Sequence, residues 1–428
     1  MKRLVMFSNE LSPFTKGGGL GVAIRRLVEQ LASISVEVHV FLPMDCLVDH
    51  HQLISTLHVW FISIPCGEFS SEVKMAEAMT VFCKKAFGIV RAHGLLIDSI
   101  FVAHDNEMAI SLMMFDCDEM STTTRVFWMH SLYDHPQKSD YPFCVQELLP
   151  QNSIMASAID VSDFVVMSSG VLNDALVLEW PSRLSDVQHA IKGAQTVGKI
   201  ITAESIGCLP IDSTQTVLNN QLVVSKPDGE IIPYILFPSR PSLFKGFSFF
   251  AYFAKTLSHL NVEFISLGKP DSLLLSKSEN IQWLPWLQEG ELLALMKSAA
   301  CVVVPSITEQ YGLSAVEATY SGSSIIYHDV GGLRALAPYS NAMPVSLTTN
   351  DLNNLYDFWN DLLGSTGNLW PIWDERKSQF LDLLNRWTSI IEHAILTKKQ
   401  PKIELMGFSG GELWGQILMR ISKTEKNF

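Results

Sequence analysis

Two glutamates, Glu309 and Glu317, stand with seven residues between them where a buried strand is predicted to give way to a helix. The strand ends at Pro305, and Gly312 opens the helix. Because the first N–H groups of a helix lack partners within it, those of residues 313–315 could bind a diphosphate. The two carboxylates would then hold hydroxyls on opposite sides of a phosphate group. The alternative is a surface loop with a capping glutamate, followed by an ordinary amphipathic helix.

Two basic residues, Arg240 and Lys245, follow another predicted strand, Tyr234–Phe237, and Lys245 lies at a predicted helix start. A diphosphate leaving group gains negative charge as its bond breaks. One guanidinium and one ammonium held in place would stabilise that charge. The alternative is a pair of solvated basic side chains beyond an edge strand.

A glycine-rich loop, Thr15–Gly21, separates the first predicted strand, Arg3–Ser8, from a helical pattern over Val22–Leu31. Glycines in such a place let the backbone approach a phosphate or a sugar closely. The loop lacks the third glycine of the dinucleotide-binding fingerprint. A flexible loop without a ligand is the alternative.

A histidine, His130, follows the strongly apolar run Val126–Met129. Ligands of open α/β sheets lie beyond the carboxyl ends of the strands, so a polar residue at this point is expected to face a cleft. The alternative is a half-buried histidine whose hydrogen bonds are satisfied within the fold.

Two other motifs are rejected on their context. Gly193–Lys199 has the glycine spacing of a phosphate-binding loop, but Ile200 replaces the required Ser or Thr, and a helix rather than a strand is predicted before it. Asp116–Glu119 resembles a metal-binding Asp-x-Asp, yet it is predicted to be a solvated turn. Since no histidine pair at helical spacing stands beside a carboxylate, no catalytic metal is expected.

Short apolar runs alternate with helical patterns along the chain, which is typical of α/β units with parallel strands. The polar segment Asn219–Glu230 separates two halves of similar size. We therefore predict two Rossmann-like, doubly wound domains facing a cleft, over residues 1–222 and 223–408. The amphipathic segment 409–428 is predicted to be a final helix, which could pack on the second domain alone. The predicted strands are Arg3–Ser8, Val36–Leu42, Ser99–Ala103, Arg125–Met129, Asp163–Ser168, Tyr234–Phe237, Val262–Leu267, Ile281–Leu284, Cys301–Val304 and Ser324–Tyr327.

Composition restricts the partners of this chain. Its 428 residues carry 31 Lys and Arg against 44 Asp and Glu, a net charge of −13, which argues against a general nucleic-acid binder. The front half, residues 1–225, holds 14 basic and 24 acidic residues, so −10 of that charge lies there. Seven scattered cysteines without a C-x-x-C pair indicate a reducing compartment. Without a long apolar run, we expect a cytoplasmic protein with no stable membrane insertion.

Together these motifs resemble the retaining GT-B-fold glycosyltransferases of family four, relatives of glycogen, starch and sucrose synthases. The resemblance spans roughly residues 1–340. Its motifs are Glu309 to Glu317 with Gly312, Asp329–Leu333, Arg240, Lys245–Gly246, Lys16 with Gly18, Gly19 and Leu20, His104–Asp105 and His130–Leu132. Gln310 departs from the family, which often has a proline there, and Leu209–Asp212 is a reduced form of its Asn-Gly-Val-Asp.

The resemblance implies a role for each matched residue. Glu309 would hold the transferred hexose and Glu317 the ribose, while Arg240 and Lys245 would neutralise the diphosphate. His130 would touch the sugar near the reacting carbon. The remaining donor-site residues are Gly18, Gly19, Leu313 and Ser314, and those expected on the acceptor side are Lys16, His104 and Asp105.

The implied activity is transfer of a hexosyl group, with retention, from a nucleotide-sugar to a hydroxyl of a small-molecule or saccharide acceptor. A UDP-sugar is the commonest donor of the family, and no cofactor or metal is implied. In such relatives the final helix crosses back to the first domain. Two alternatives stay open: a non-catalytic GT-B subunit that binds a sugar or a partner, and a sugar-nucleotide epimerase of similar fold.

Overall fold

The computed structural model describes residues 3–9, 11, 19–33, 36–44, 50–54, 56–64, 72–130, 149–203, 232–268, 280–287, 289–364 and 370–397. The described residues form two units, one up to residue 203 and one from residue 232 onward. Each unit is built on its own sheet. The predicted domain junction at 222 and the final helix over 409–428 lie outside the described residues.

The first unit contains eight strands in the order β3-β4-β2-β1-β5-β6-β7-β8. All neighbours pair in parallel except the edge strand β3, which runs antiparallel to β4. The strands are β1 Arg3–Phe7, β2 Val38–Met44, β3 His50–Ile54, β4 Leu57–Ser63, β5 Ser99–His104, β6 Thr124–Trp128, β7 Phe164–Met167 and β8 Ile200–Thr202. The helices are α1 Gly19–Ser33, α2 Glu72–Ala92, α3 Asp105–Ala109, α4 Cys117–Met120, α5 Leu149–Val161, α6 Ser169–Val177 and α7 Ser185–Thr196.

The second unit contains six parallel strands in the order β11-β10-β9-β12-β13-β14. The strands are β9 Tyr234–Phe237, β10 Glu263–Leu267, β11 Gln282–Leu284, β12 Cys301–Val304, β13 Ile325–His328 and β14 Ala342–Val345. The helices are α8 Phe247–Thr256, α9 Glu289–Ser298, α10 Leu313–Tyr320, α11 Thr349–Gly364, α12 Trp370–Arg376 and α13 Leu381–Thr397. Short 3-10 helices cover Ile110–Met113, Ser182–Leu184, Gly331–Leu336 and Lys377–Phe380.

The central strands are apolar along their length because strands of a parallel sheet are covered on both faces. In β1 every residue from Leu4 to Phe7 is buried, and the Phe7 ring lies 4.8 Å from that of Phe101 and 5.3 Å from that of Phe41. This confirms the predicted α/β class with two doubly wound units. Among the described residues, no helix has the length and apolar character needed to cross a membrane.

The strand orders determine where ligands belong. In the first sheet β2 and β5 lie on opposite sides of β1, and in the second sheet β10 and β12 lie on opposite sides of β9. Connections diverge at such a switch point, which leaves a crevice beyond the carboxyl ends of the strands. The loops after β1, β5, β9 and β12 are therefore the candidate site loops, and these loops carry the predicted glycine, histidine, basic and acidic motifs.

Neither rejected motif forms the site it resembles, although Asp116–Glu119 is a helix start rather than the predicted solvated turn. Asp116 caps α4, whose first residues are 117–119, and Arg91 pairs with Glu119 at 2.6 Å and with Asp116 at 3.2 Å. Gly193 lies within helix α7, and the strand β8 follows Lys199 rather than preceding the glycine. Neither segment therefore has the geometry of a metal site or of a phosphate-binding loop.

Candidate active site

The basic loop follows β9. Helix α8 begins after Gly246, whose φ of 75° lies in the left-handed region, and Lys245 is the residue before that glycine. A Cβ on Gly246 would lie 1.8 Å from the carbonyl oxygen of Pro305, in the loop after β12. Only a glycine permits this approach of two backbones. The loop after β9 is thus held against the loop after β12, and Arg240 is exposed on it.

The acidic loop follows β12 and leads into α10. Gly312 precedes α10 with a φ of 63°, and Glu309 stands before it with a half-buried side chain. The Ile307 N–H donates to the Phe244 carbonyl at 2.9 Å, a second link to the loop after β9. Ser306 Oγ donates to Glu309 Oε2 at 3.2 Å. A hydrogen bond from within the same loop therefore orients the carboxylate of Glu309.

Lys245 and Glu309 form a direct ion pair. The distance from Lys245 Nζ to Glu309 Oε2 is 2.6 Å, and the two side chains are 30% and 11% exposed. A charge-assisted hydrogen bond of this length is stronger than one between neutral groups. The contact places the cation predicted to bind a diphosphate beside the carboxylate predicted to bind the transferred sugar.

A third loop, after β13, holds the backbone of Glu309. The Gly332 N–H donates to the Glu309 carbonyl at 2.9 Å, and a Cβ on Gly332 would lie 1.9 Å from the Gln310 carbonyl oxygen. Burial lowers the pKa of His328 to about 4, so this imidazole is neutral and its Nδ1–H donates to the Ser306 carbonyl at 3.0 Å. Both ends of the acidic loop are thus fixed from β13.

The first turn of α10 carries the other predicted donor contacts. Leu313 and Ser314 are its first two residues, and both are half-buried. The Ser314 and Ser239 hydroxyls lie 3.0 Å apart, which links α10 to the loop after β9. Glu317 follows one turn later and is half-buried. In unit two, the structure therefore brings the predicted residues to the carboxyl ends of the neighbouring strands β9 and β12.

In the first unit, the predicted histidines meet. His104 ends β5 and His130 follows β6, and His104 Nδ1 lies 2.7 Å from His130 Nε2. His104 is fully buried, whereas His130 is half-buried. Asp105, also buried, has a φ of 64° and begins α3. Gly19 is the first residue of α1, while Lys16 and Gly18 lie outside the described residues.

Several residues of the site were not predicted from sequence. Ser306, Ser239 and His328 hydrogen-bond to site residues. Gly332, which sets the backbone of Glu309, lies within the predicted motif Asp329–Leu333. Ser306, Ser239 and His328 each come one or two residues after the end of a predicted strand. Their position just after a predicted strand is the sequence signal that could have identified these three residues. Which polar groups they contact depends on strand register, which the sequence does not reveal.

One cluster of possible metal ligands occurs in the described part of the chain, at Glu37, His39 and His58. Trp60 Nε1–H donates to His39 Nδ1 at 3.1 Å, so the proton of a neutral His39 lies on Nε2, which is 2.9 Å from Glu37 Oε1. Burial lowers the pKa of His39 to about 4, which favours that neutral form. Its hydrogen bonds thus occupy both ring nitrogens, and the arrangement fits a structural network better than a metal site.

Comparisons with known families agree with these two units. The starch synthase catalytic domain matches residues 3–172, and the family described as glycosyl transferases group 1 matches residues 235–338. Each unit therefore matches a glycosyltransferase domain. The predicted family resemblance is thereby confirmed. The second match begins in β9 and includes the basic loop, the acidic loop and the loop after β13.

Curated relatives of this glycosyltransferase chain match over a short stretch. D-inositol 3-phosphate glycosyltransferases from Nocardia farcinica and from Mycobacterium sp. (strain KMS) are 39% and 38% identical to it over 72 residues. The match spans 16% of this chain and 16% of each relative.

Solved GT-B structures share its fold over most of its length. Sucrose-phosphate synthase from Thermosynechococcus elongatus is 16% identical with a TM-score of 0.58, and the match covers 91% of this chain and 100% of that one. The catalytic domain of starch synthase IV from Arabidopsis thaliana, bound to ADP and acarbose, is 16% identical with a TM-score of 0.61, covering 91% and 99%. At such identities the likeness concerns the fold.

The glycine contacts yield a stability prediction. In Gly332→Ala, a Cβ would lie 1.9 Å from the Gln310 carbonyl oxygen and 2.9 Å from the Tyr311 Cα, so the backbone must move. We expect the free energy of unfolding of the second unit to fall by about 1–3 kcal/mol, the usual cost of overpacking. Thermal unfolding followed by circular dichroism measures the change.

Gly290→Ala is the matched control, because Gly290 lies in α9 of the same unit and nothing lies within 4 Å of its Cβ position. Alanine is the better helix former, so this variant should melt no earlier than the wild type. Equal melting of both variants would show that the loops do not depend on the Gly332 contact.

Proposed function

We propose that the chain transfers a hexosyl group from a nucleotide-sugar to a hydroxyl of an acceptor, with retention of configuration. The observation that carries the proposal is the Lys245–Glu309 ion pair at the switch point of the second sheet. A nucleotide-sugar has a diphosphate bonded directly to the reacting sugar carbon. Its site therefore needs a cation for the phosphate and a hydrogen-bond acceptor for the sugar hydroxyls, side by side.

Charge on the second unit suits a diphosphate. In the ligand-free pair, the ammonium of Lys245 is balanced by Glu309, and the exposed guanidinium of Arg240 lies in the same loop as Lys245. A bound diphosphate would draw Lys245 from the carboxylate, and Glu309 would then accept hydrogen bonds from sugar hydroxyls. Two fixed cations are also most useful in the transition state, when the leaving group carries most charge.

Backbone groups at the start of α10 would add donors. Within this helix the first N–H groups that bond back are those of Ala315 and Val316, both to the Gly312 carbonyl. The N–H groups of Leu313 and Ser314 precede them, and a helix N-terminus favours an anion. Glu317, one turn further, would hold the ribose. This arrangement binds a diphosphate through side chains and backbone, so the proposal requires no catalytic metal.

The proposed step is same-face substitution at the sugar carbon. The bond from that carbon to the diphosphate oxygen breaks, a bond to the acceptor oxygen forms on the same face, and the acceptor proton passes to a departing phosphate oxygen. His130 would contact the sugar, while Lys245 and Arg240 hold the leaving group. The roles of Gly18, Gly19, Lys16 and Asp105 in closing the donor site and binding the acceptor stay predictions.

The donor and acceptor are proposed as classes. A UDP-sugar is the first candidate; among the structural relatives, starch synthase IV is bound to ADP and acarbose, and a trehalose-6-phosphate relative from E. coli is bound with UDP-2-fluoro glucose. The charge of −10 over residues 1–225 favours a neutral or cationic small molecule or saccharide over a nucleic acid or an anionic membrane surface. The cysteine pattern supports a cytoplasmic location.

Two variants test the cation assignment. In Arg240→Ala and Lys245→Ala, we expect the turnover number with nucleotide-sugar and acceptor to fall about 10²–10³-fold, the usual loss when one fixed donor to a developing anion is removed. Lys255→Ala, an exposed lysine in the last turn of α8, is the matched control and should keep its turnover. Release of the nucleoside diphosphate is the measurement.

The same assay separates the alternatives. Wild-type turnover in both loop variants would contradict the assigned site. A chain that binds the donor but releases no diphosphate with any acceptor would instead be a non-catalytic binding subunit, and release that requires no acceptor together with an isomerised sugar would indicate an epimerase.

A second prediction concerns Glu317. A donor at about 100 times its Kd should stabilise the wild type by about 2.7 kcal/mol, visible as a rise in melting temperature across a panel of nucleotide-sugars. In Glu317→Ala the rise should shrink for the true donor, because the carboxylate no longer accepts the ribose hydroxyls. Glu375→Ala, an exposed carboxylate of the same unit, should keep the full rise. An unchanged rise in Glu317→Ala would remove Glu317 from the ribose site.

A further inference from the structure

The carboxylate of Glu309 receives its hydrogen bonds on one oxygen. Lys245 Nζ lies 2.6 Å from Glu309 Oε2, and Ser306 Oγ donates to the same oxygen at 3.2 Å. In the described part of the chain, the other oxygen, Oε1, receives no hydrogen bond and is not closed off from solvent. The two oxygens therefore differ in role. Oε2 meets donors of the protein, and Oε1 is left for a hydroxyl from outside.

The two donors to Oε2 are not equally fixed. Lys245 has a long, flexible side chain that is 30% exposed, so its ammonium can turn toward a bound anion. Ser306 is fully buried, and its short side chain cannot reach an anion or a sugar unless the backbone moves. The serine contact is therefore the one that can persist when a ligand binds.

The backbone of Ser306 is held from two sides. The Nδ1–H of His328 donates to the Ser306 carbonyl at 3.0 Å, and the N–H of the next residue, Ile307, donates to the Phe244 carbonyl at 2.9 Å. His328 is itself fully buried between two aromatic rings, each with its centroid 5.1 Å away. Strand β13 and the loop after β9 thus determine where the Ser306 hydroxyl lies, before any ligand binds.

A bound diphosphate would change the surroundings of Glu309. In the proposed function it draws Lys245 from the carboxylate, which leaves Ser306 as the donor to Oε2 within the described residues. A half-buried carboxylate without a donor is costly and can rotate about its own bonds. A retained hydrogen bond from Ser306 would keep Oε1 directed to the same place after Lys245 has left.

We propose that Ser306 is a positioning residue that holds Oε2 of Glu309 while Lys245 binds the diphosphate, so that Oε1 accepts a hydrogen bond from a hydroxyl of the transferred hexose. This inference rests on the proposed function, in which Glu309 holds that hexose. Ser306 itself does not touch the donor. Its contribution therefore concerns the hexose and not the diphosphate, and a nucleoside diphosphate, which lacks the hexose, should bind without it.

Two variants of Ser306 test this division. Ser306→Ala removes the hydroxyl, and Ser306→Cys nearly keeps the volume but offers only a weak S–H donor. We expect kcat with UDP-glucose and an acceptor to fall about tenfold in both, the effect of losing one hydrogen bond to a charged group. The Kd of UDP, measured by calorimetry, should stay within about twofold of the wild-type value. If the wild type prefers ADP-glucose or GDP-glucose, that donor and its diphosphate replace these probes.

A double-mutant cycle identifies the group through which Ser306 acts. If that group is Glu309, Ser306→Ala should change kcat by less than about twofold in a Glu309→Ala background. Ser248→Ala is the matched control. Ser248 is equally buried in α8 of the same unit, and its hydroxyl has no hydrogen-bond partner in the part of the chain that the structure describes. This control should keep the wild-type kcat.

Three results would overturn the positioning role. The first is a wild-type kcat in Ser306→Ala. The second is a loss of UDP binding as large as the loss of kcat, because Ser306 would then support the whole loop. The third is an undiminished tenfold fall in the Glu309→Ala background. Wild-type protein that transfers no sugar from any nucleotide-sugar would instead contradict the proposed function, which the behaviour of the wild type alone decides.

Discussion

The contact of three loops through two glycines is the constraint on which the second unit depends. Gly246 lies against the Pro305 carbonyl and Gly332 against the Gln310 carbonyl, at distances that exclude any Cβ. These contacts hold the loops after β9, β12 and β13 together, and the Lys245–Glu309 ion pair forms where the first two meet. The backbone thus positions the charges before any ligand binds, which reduces the entropy lost on binding.

The groups gathered at the site share a chemical character. In the second unit, Lys245 and Arg240 supply positive charge and the first amides of α10 supply N–H donors. Such a site would stabilise a departing anion, and the proposed step assigns no side chain of this unit as a strong base. Same-face substitution requires no such base, because the leaving group itself accepts the proton. The chemistry of the site and the proposed retention of configuration are therefore consistent.

Much of this arrangement could be predicted from the sequence, because strand ends are marked by apolar runs followed by polar residues. All ten predicted strands exist, and Lys245, Glu309 and His130 follow strands as expected. The strands β3, β4, β8 and β14 were not predicted: β8 has three residues, and β14 contains Pro344, which suits only an edge. Contacts between residues of different strands could not be predicted from the sequence either. The Gly246–Pro305 approach and the His104–His130 hydrogen bond depend on register, which an apolar run does not specify.

The most direct test of the central claim is isothermal titration calorimetry of the wild-type chain with nucleoside diphosphates and with the matching monophosphates. If the glycine-linked loops form a diphosphate site, at least one nucleoside diphosphate should bind about tenfold or more tightly than its monophosphate, since the second phosphate gains charge-assisted hydrogen bonds. If no diphosphate binds more tightly than its monophosphate, the Lys245–Glu309 site does not bind a nucleotide-sugar through its diphosphate, and the account is wrong.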